Sequence, residues 1–129
     1  YGDLRDLISR RADEGEMITV SPGDSILVAY NRMRASDISQ LPVIQDGELL
    51  GIIDEEDILI SVSNKADTFS TEVSKHMIKK LDTLQYDASE DKLKTVLSEG
   101  KVAIIYEDKK FIGFITKVDL INFYRNKLN

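Results

Sequence analysis

The chain of 129 residues has no cysteine and a single histidine, His76. Without cysteine there is no disulfide framework and no thiolate metal site, which fits a reducing cytoplasm, the expected location. With one histidine, neither a His-based metal site nor a Ser-His-acid triad can be assembled. Long apolar runs are missing as well. Nothing approaches ~18 residues and no signal-peptide pattern opens the chain, so no membrane insertion is expected. Concentrated positive charge is also lacking: 17 Lys and Arg stand against 23 Asp and Glu, the net charge is −6, and the basic residues are scattered. Phosphate backbones demand clustered cations, so nucleic acid is not expected as a partner. The sequence offers no nucleophile-base pair, no Gly-rich phosphate loop and no lysine in a cofactor context, so no catalytic residues and no covalent cofactor are expected.

What is present is a globular composition, 42% apolar, enough for one domain or two small lobes. The chain opens on Tyr1 and runs at once into the amphipathic Leu4, Leu7, Ile8, as expected of a piece of something longer. It also repeats itself. GFITKVDLI, from Gly113, lies over GIIDEEDIL, from Gly51, at an offset of 62 residues. Upstream of each copy is a hairpin pattern, LPVIQDGELLG and AIIYEDKKFIG, paired apolar runs around a polar turn. Before these, Met17 to Val20 and Leu81 to Tyr86 read as strands. Ile26, Leu27, Ala29, Tyr30 and Met33, and later Leu93, Val96 and Leu97, recur at helical spacing. Glu55 to Ser63 and Lys117 to Lys127 read as closing helices. The expectation is an α/β (α+β) chain of two pseudo-symmetric β-α-β-β-α repeats. The first, with its lead-in, covers 1–63, a polar linker covers 64–74 with a short helix around Val73 to Ile78, and the second covers 75–129. One repeat is too small to cover both faces of its sheet, so the two are expected to pack sheet to sheet, with clefts where they meet.

DSILVAYNRM, ISQLPVIQDGELLGIIDEEDIL and VAIIYEDKKFIGFITKVDLI resemble a tandem pair of CBS domains, the Bateman module, over nearly the whole chain. Within that family the ending GFITKVDLINFY is similar to the regulatory region of cystathionine β-synthase, whose pyridoxal phosphate and catalytic part would lie outside these residues. The resemblance implies an adenosyl effector, S-adenosylmethionine or AMP, ADP or ATP, controlling an attached catalytic or transport domain. It also implies a homodimer, with a seam on helices Leu27 to Arg34 and Ile121 to Leu128. The motif carrying the ligand role is Gly, two apolar residues, Thr or Ser, two variable residues, then Asp: here Gly113 to Asp119.

The chemistry of those residue types agrees. An ionised carboxylate, Asp119, can accept from both ribose hydroxyls. The Thr116 hydroxyl and free N–H groups at a helix start can meet the ribose 5′ side or a phosphate. By the family arrangement the adenine slot comes from the other repeat, from Met17, Ile18 and Thr19 and from Ile38, Ser39 and Gln40 before Pro42, with Phe114 and Ile115 along the last strand. Thr116 and Asp119 also have the spacing of a helix N-cap with an acid at the third helical position, which needs no ligand. The duplicated plan favours the site.

The first copy departs from the motif. Asp54 stands where Thr116 stands, beside Glu55, Glu56 and Asp57, and Gly100 replaces the apolar Ile38 on its facing segment, so that cleft is expected to be empty or weak. Four acids could also attract a hard cation, but no loop of calcium-binding spacing surrounds them, and no metal is expected. An acidic cleft without a basic trio favours S-adenosylmethionine or AMP over ATP. His76 reads as a surface residue, the methionines as core, Lys79-Lys80 and Lys109-Lys110 as solvated, and Phe123 and Tyr124 as packing or dimer contacts. The alternative from another class is a structural pair that dimerises its parent and binds nothing.

Overall fold

The structure is a computed structural model that describes residues 2–128. Among the described residues four helices and five strands follow one another: α1 (Ile26–Ser36), β1 (Gln40–Gln45), β2 (Glu48–Asp54), α2 (Glu55–Asn64), β3 (Thr83–Gln85), α3 (Glu90–Glu99), β4 (Val102–Glu107), β5 (Lys110–Thr116) and α4 (Lys117–Asn126). Short 3-10 turns lie at Leu4–Leu7, Ala66–Ser70 and Val73–Lys75. Every helix starts on a side-chain oxygen that takes a free N–H of its first turn: Ser25 for α1, Asp54 for α2, Ser89 for α3 and Thr116 for α4. The expected helix, hairpin, helix order is thus present in both halves, with the leading strand a full element only in the second, and the mixed α+β class is as expected.

The residues fall into two compact units, one of Ile18–Leu81 and one joining the lead-in up to Met17 to the chain from Asp82 onward. In the first, β1 and β2 pair antiparallel around a two-residue turn, Asp46-Gly47, with both residues left-handed (φ 53° and 80°). That is the geometry an Asp-Gly hairpin demands. Its core gathers Val20, Ile26, Ala29, Met33, Leu41, Val43, Ile53, Ile58 and Val73. The expected strand Met17 to Val20 shrinks to one bridge, Val20 beside Val43. The turn at Ser21 to Asp24, where the Asp24 side chain takes the Ser21 N–H at 2.8 Å, ends the pairing directly after Val20.

The stretch expected to be a linker is part of this unit. Val73 is fully buried, Thr68 is 9% exposed, and backbone bonds from Ile26 to Thr71 (2.9 Å) and from Val73 to Asp24 (2.8 Å) sew the segment to the start of α1. It continues to Ile78, which exchanges two backbone hydrogen bonds with Ile52 (2.9 and 2.7 Å). This crossing explains Gly51, where a Cβ would lie 2.6 Å from the Ile78 carbonyl oxygen.

In the second unit β3 runs parallel to β4, and β4 pairs antiparallel with β5. The lead-in packs here and not with the first repeat, contrary to the expected 1–63 boundary. Leu4, Leu7 and Ile8 join Leu93, Leu97, Ala103, Ile105, Ile112, Ile115 and Leu120 in one core. At ~1.5–3 kcal/mol for each fully buried large apolar side chain, three such residues make the lead-in a structural member of the unit. Leu4 N–H donates to the Tyr86 carbonyl (3.0 Å), Ala12 N–H to the Ile112 carbonyl (2.9 Å), and Arg5 bonds Glu107 (2.6 Å). Ile8 and Arg10 pass directly over Gly113, as Met77 and Ile78 pass over Gly51. Each hairpin is thus crossed by a strap at its glycine.

Candidate functional site

Among the motif residues, Thr116 and Asp119 come together at the start of α4. Thr116 N–H donates to Asp119 Oδ2 (2.8 Å) and Asp119 N–H donates to Thr116 Oγ1 (3.2 Å), a complete capping box. The cap reading made from the sequence is present here. The box uses one carboxylate oxygen, while Asp119 Oδ1 makes no hydrogen bond among the described residues. Asp119 is half-buried and opens on a cavity of about 240 Å³ that Asp6 and Ser9 of the lead-in share with Asn122 and Asn126 of α4. The lining holds carboxylates, carboxamides and a hydroxyl, with no Lys or Arg. It therefore suits diols and amines better than phosphate.

On β5, Phe114 sits across from Ile104 and packs its ring at a tilt against that of Phe111 (centroids 5.6 Å apart), 7% exposed and outside the core cluster. Ile115 points the other way into the core and is fully buried. Its side chain is therefore withdrawn from any ligand, a correction to its expected role imposed by strand alternation, and only its backbone groups remain for binding.

The remaining expected residues belong to the unit of Ile18–Leu81. Ile18 and Ile38 are half-buried and pack against its core, with Ile18 and Thr19 leading into the Val20 bridge. The Thr19 carbonyl accepts from Arg32 (2.7 Å). Ser39 gives its carbonyl to Glu55 N–H (2.9 Å), Gln40 donates from Nε2 to Asp54 Oδ2 (3.0 Å), and Pro42 is buried opposite Ile52. Ile38 to Pro42 thus forms one continuous stretch at the head of β1.

In the first copy Asp54 is 4% exposed and spends Oδ1 on Glu56 N–H (2.8 Å) and Oδ2 on Gln40, a structural use of the residue that replaces Thr116. Glu55 and Glu56 face water and Asp57 is half-buried. No grouping of three His, Asp or Glu poised for a metal occurs among the described residues.

His76 is not a plain surface residue. Its ring is half-buried, with Nε2 2.7 Å from Thr71 Oγ1 and Nδ1 3.4 Å from Ser61 Oγ. The Thr71 hydroxyl already donates to the Thr68 carbonyl (2.7 Å), so it accepts from His76 Nε2–H. Sequence reasoning also missed a groove of about 360 Å³ between α1 and α2, floored by Met33, Ile58, Val62 and Phe69 and rimmed by Tyr30, Arg34 and Glu55. Helical spacing placed Met33 and Ile58, but Phe69 lay in a stretch that composition marked as polar. Leu27 and Tyr30 on α1 and Val118, Ile121, Tyr124 and Leu128 at the chain end are exposed, as are Leu59 and Ile60 on α2. No helix among the described residues is long and apolar enough to cross a membrane.

Residues 4–64 match the sequence model of the CBS domain family. Over 113 residues the chain is 31% identical to inosine-5′-monophosphate dehydrogenase of Korarchaeum cryptofilum, covering 85% of this chain and 22% of the relative. The chain thus spans about a fifth of the length of that relative. Among solved structures it is similar to the CBS-domain containing protein ATU1752 from Agrobacterium tumefaciens (TM-score 0.79, 24% identity, 95% of this chain and 98% of that one). It is also similar to CBSX2 crystallised in complex with AMP (TM-score 0.83, 19% identity, 100% of both chains). At these identities the two structures establish the fold. Residues 4–64 thus resemble the CBS domain family by sequence, and the chain as a whole takes the fold of the CBS-domain proteins.

Proposed function

We propose that the chain is a regulatory module in which two CBS repeats bind an adenosyl ligand and pass the binding on to an attached or partner protein. The observation that carries the reading is the unspent oxygen of Asp119 beside Thr116, held by a capping box at the foot of α4. There a ribose diol finds a charge-assisted acceptor. Support comes from CBSX2, which shares the fold over its full length and holds AMP. In this reading Thr116 and Asp119 take the sugar. AMP or S-adenosylmethionine is favoured over ATP, because the cavity beside Asp119 has no cation to hold a polyphosphate. To signal, the ligand must prefer one of two arrangements of the module.

The parent is proposed more broadly than the ending GFITKVDLINFY alone would give. The curated relative above is an inosine-5′-monophosphate dehydrogenase, so a nucleotide enzyme stands beside cystathionine β-synthase as the regulated activity. No catalytic role is proposed for these residues. Thermal unfolding with AMP, ADP, ATP and S-adenosylmethionine tests the reading. A ligand at 100 times its Kd adds about 2.7 kcal/mol of stability, which raises Tm by several degrees. No shift with any of the four discards the sensor.

One observation favours the second reading, a structural pair that dimerises its parent. Val118, Ile121 and Leu128 are 63%, 61% and 86% exposed, an apolar row that a second copy would cover. Sedimentation of the wild type and Ile121→Asp separates the readings: a dimer lost in the variant, together with no ligand shift, supports the scaffold.

A further inference from the structure

We infer that the lead-in is the second wall of the ligand site at Asp119, so that a ligand held there also holds the lead-in onto its unit. The inference rests on the adenosyl reading above and deepens it. Every residue it uses belongs to the unit that joins the lead-in to the chain from Asp82 onward. The cavity on which Asp119 opens is built from two elements of that unit. α4 supplies Asp119, Asn122 and Asn126, whose spacing of three and four residues puts them on one face of the helix. The lead-in supplies Asp6 and Ser9. Between these two, Leu7 and Ile8 are buried in the core, which seats the lead-in and leaves its polar neighbours at the cavity.

Both walls have hydrogen-bonding capacity to spare. Asp6 spends Oδ2 on the Gly2 N–H (2.8 Å) and Asp119 spends Oδ2 on the Thr116 N–H (2.8 Å), while Oδ1 of each makes no hydrogen bond among the described residues. The Ser9 hydroxyl and the carboxamides of Asn122 and Asn126 make none there either. Hydroxyls and carboxamides donate as well as accept, so with the carboxylates they match the hydroxyl edge of a sugar. A phosphate turned into the cavity would meet two carboxylates and no Lys or Arg. The sugar edge therefore faces the lead-in and the 5′ substituent of a nucleotide is turned away from it.

The lead-in is attached in a way that a ligand can reinforce. Its backbone joins the rest of the unit at Leu4 N–H to the Tyr86 carbonyl (3.0 Å) and at Ala12 N–H to the Ile112 carbonyl (2.9 Å). From Arg5 to Arg11 no backbone hydrogen bond leaves the lead-in among the described residues, and the side-chain bond from Arg5 to Glu107 (2.6 Å) is what ties that run to β4. The same run passes over Gly113, three residues before Thr116 on β5. A ligand that bonds both walls adds a tie where the backbone makes none. By reciprocity it resists release of the lead-in by the same factor that release would cost its own affinity.

The test uses the whole chain and whichever of AMP and S-adenosylmethionine binds the wild type more tightly. Calorimetry compares the wild type with Ser9→Ala and Asn122→Ala, each of which removes one group from one wall, and hydrogen exchange follows the Leu4 and Ala12 amides. Each variant is expected to weaken the ligand by about two- to tenfold, the worth of one hydrogen bond. Saturating ligand is expected to slow exchange at Leu4 and Ala12 by about tenfold, and by less in Ser9→Ala. Loss of affinity with Asn122→Ala alone, or exchange at Leu4 and Ala12 that bound ligand leaves unchanged, overturns the inference and leaves adenosyl sensing in place. Full affinity in both variants does the same. A folded chain that binds neither compound overturns the functional proposal itself, and this inference with it.

Discussion

Gly113 begins the ligand motif, yet the structure assigns it a packing duty that a substitution will reveal. Its φ is 153°, a conformation that side chains rarely adopt, and a Cβ there would meet Ile8 Cγ2 at 2.6 Å and the Arg10 carbonyl at 3.2 Å. The backbone strain of Gly113→Ala is worth about 1–3 kcal/mol. Overpacking against the lead-in adds about 1–3 kcal/mol, so a total of about 2–6 kcal/mol is expected out of the ~5–15 available to a small protein. Two other glycines separate the causes. Gly47 has φ 80° and nothing within 4 Å of its Cβ position, so Gly47→Ala isolates strain at about 1 kcal/mol. Gly51→Ala isolates the clash, 2.6 Å from the Ile78 carbonyl oxygen, at about 1–3 kcal/mol. Urea unfolding followed by circular dichroism reads each variant as a shift of midpoint at constant slope. Adding Ile8→Ala removes the Cγ2 atom in the way, and the pair should couple by about 1 kcal/mol or more. If Gly113→Ala costs no more than Gly47→Ala, or adds to Ile8→Ala without coupling, the strap does not hold Gly113 and the reasoning fails.

Further predictions concern the lead-in and the cap. Leu4→Ala empties a fully buried position of the second unit and should cost about 2–5 kcal/mol, with hydrogen-exchange protection lost in β3 to β5 before β1 and β2; uniform loss contradicts the two-unit description. Thr116→Ala removes half of the capping box and should destabilise by about 1 kcal/mol in the same urea assay, while a change within error would mean that the cap is idle. Asp13 is held below its ordinary value of 3.8 chiefly by the side-chain hydrogen bond from Arg11, and Asp3 below the same value chiefly by that from Arg5. A lowered carboxyl stabilises above its unfolded value and ceases to as pH falls through the folded one. The stability gap between wild type and Asp13→Asn should therefore be full above pH 3.8 and close below it. A gap that persists in acid contradicts the ion pair.

Much of this was legible in the residues because local rules and tertiary demands agree. Asp46-Gly47 can form a two-residue hairpin turn, Ser25, Ser89 and Thr116 can cap, and the apolar periods of α1 and α3 have one buried face each. The repeat at 62 residues exposed the tandem plan, and with it Thr116 and Asp119. The straps were hidden. Residues 64–81 are rich in polar side chains, and their order comes from backbone hydrogen bonds to Asp24, Pro22 and Ile52, which leave no trace in hydrophobic period. Leu4, Leu7 and Ile8 announced a buried face, but nothing local says that its partner is 80 or more residues away, beyond Asp82. Gly51 and Gly113 looked like ligand-motif glycines. Each is also a point where a strap leaves no room for a Cβ, so one residue answers two demands and the sequence displays only their sum. Asp54 misled for a related reason, since its partner Gln40 stands on the neighbouring strand.

The claim on which the account turns is that Asp119 grips a ribose. Asp119→Asn keeps an oxygen for Thr116 N–H and so preserves the helix cap, but it removes the charge from the oxygen offered to the diol. Calorimetric titration of AMP into both proteins at one pH measures the difference. The account predicts binding to the wild type, weakened about tenfold or more in the variant, with Tm lowered by no more than the loss of one acid from a helix's first turn. Equal affinity of the two proteins for AMP would contradict it.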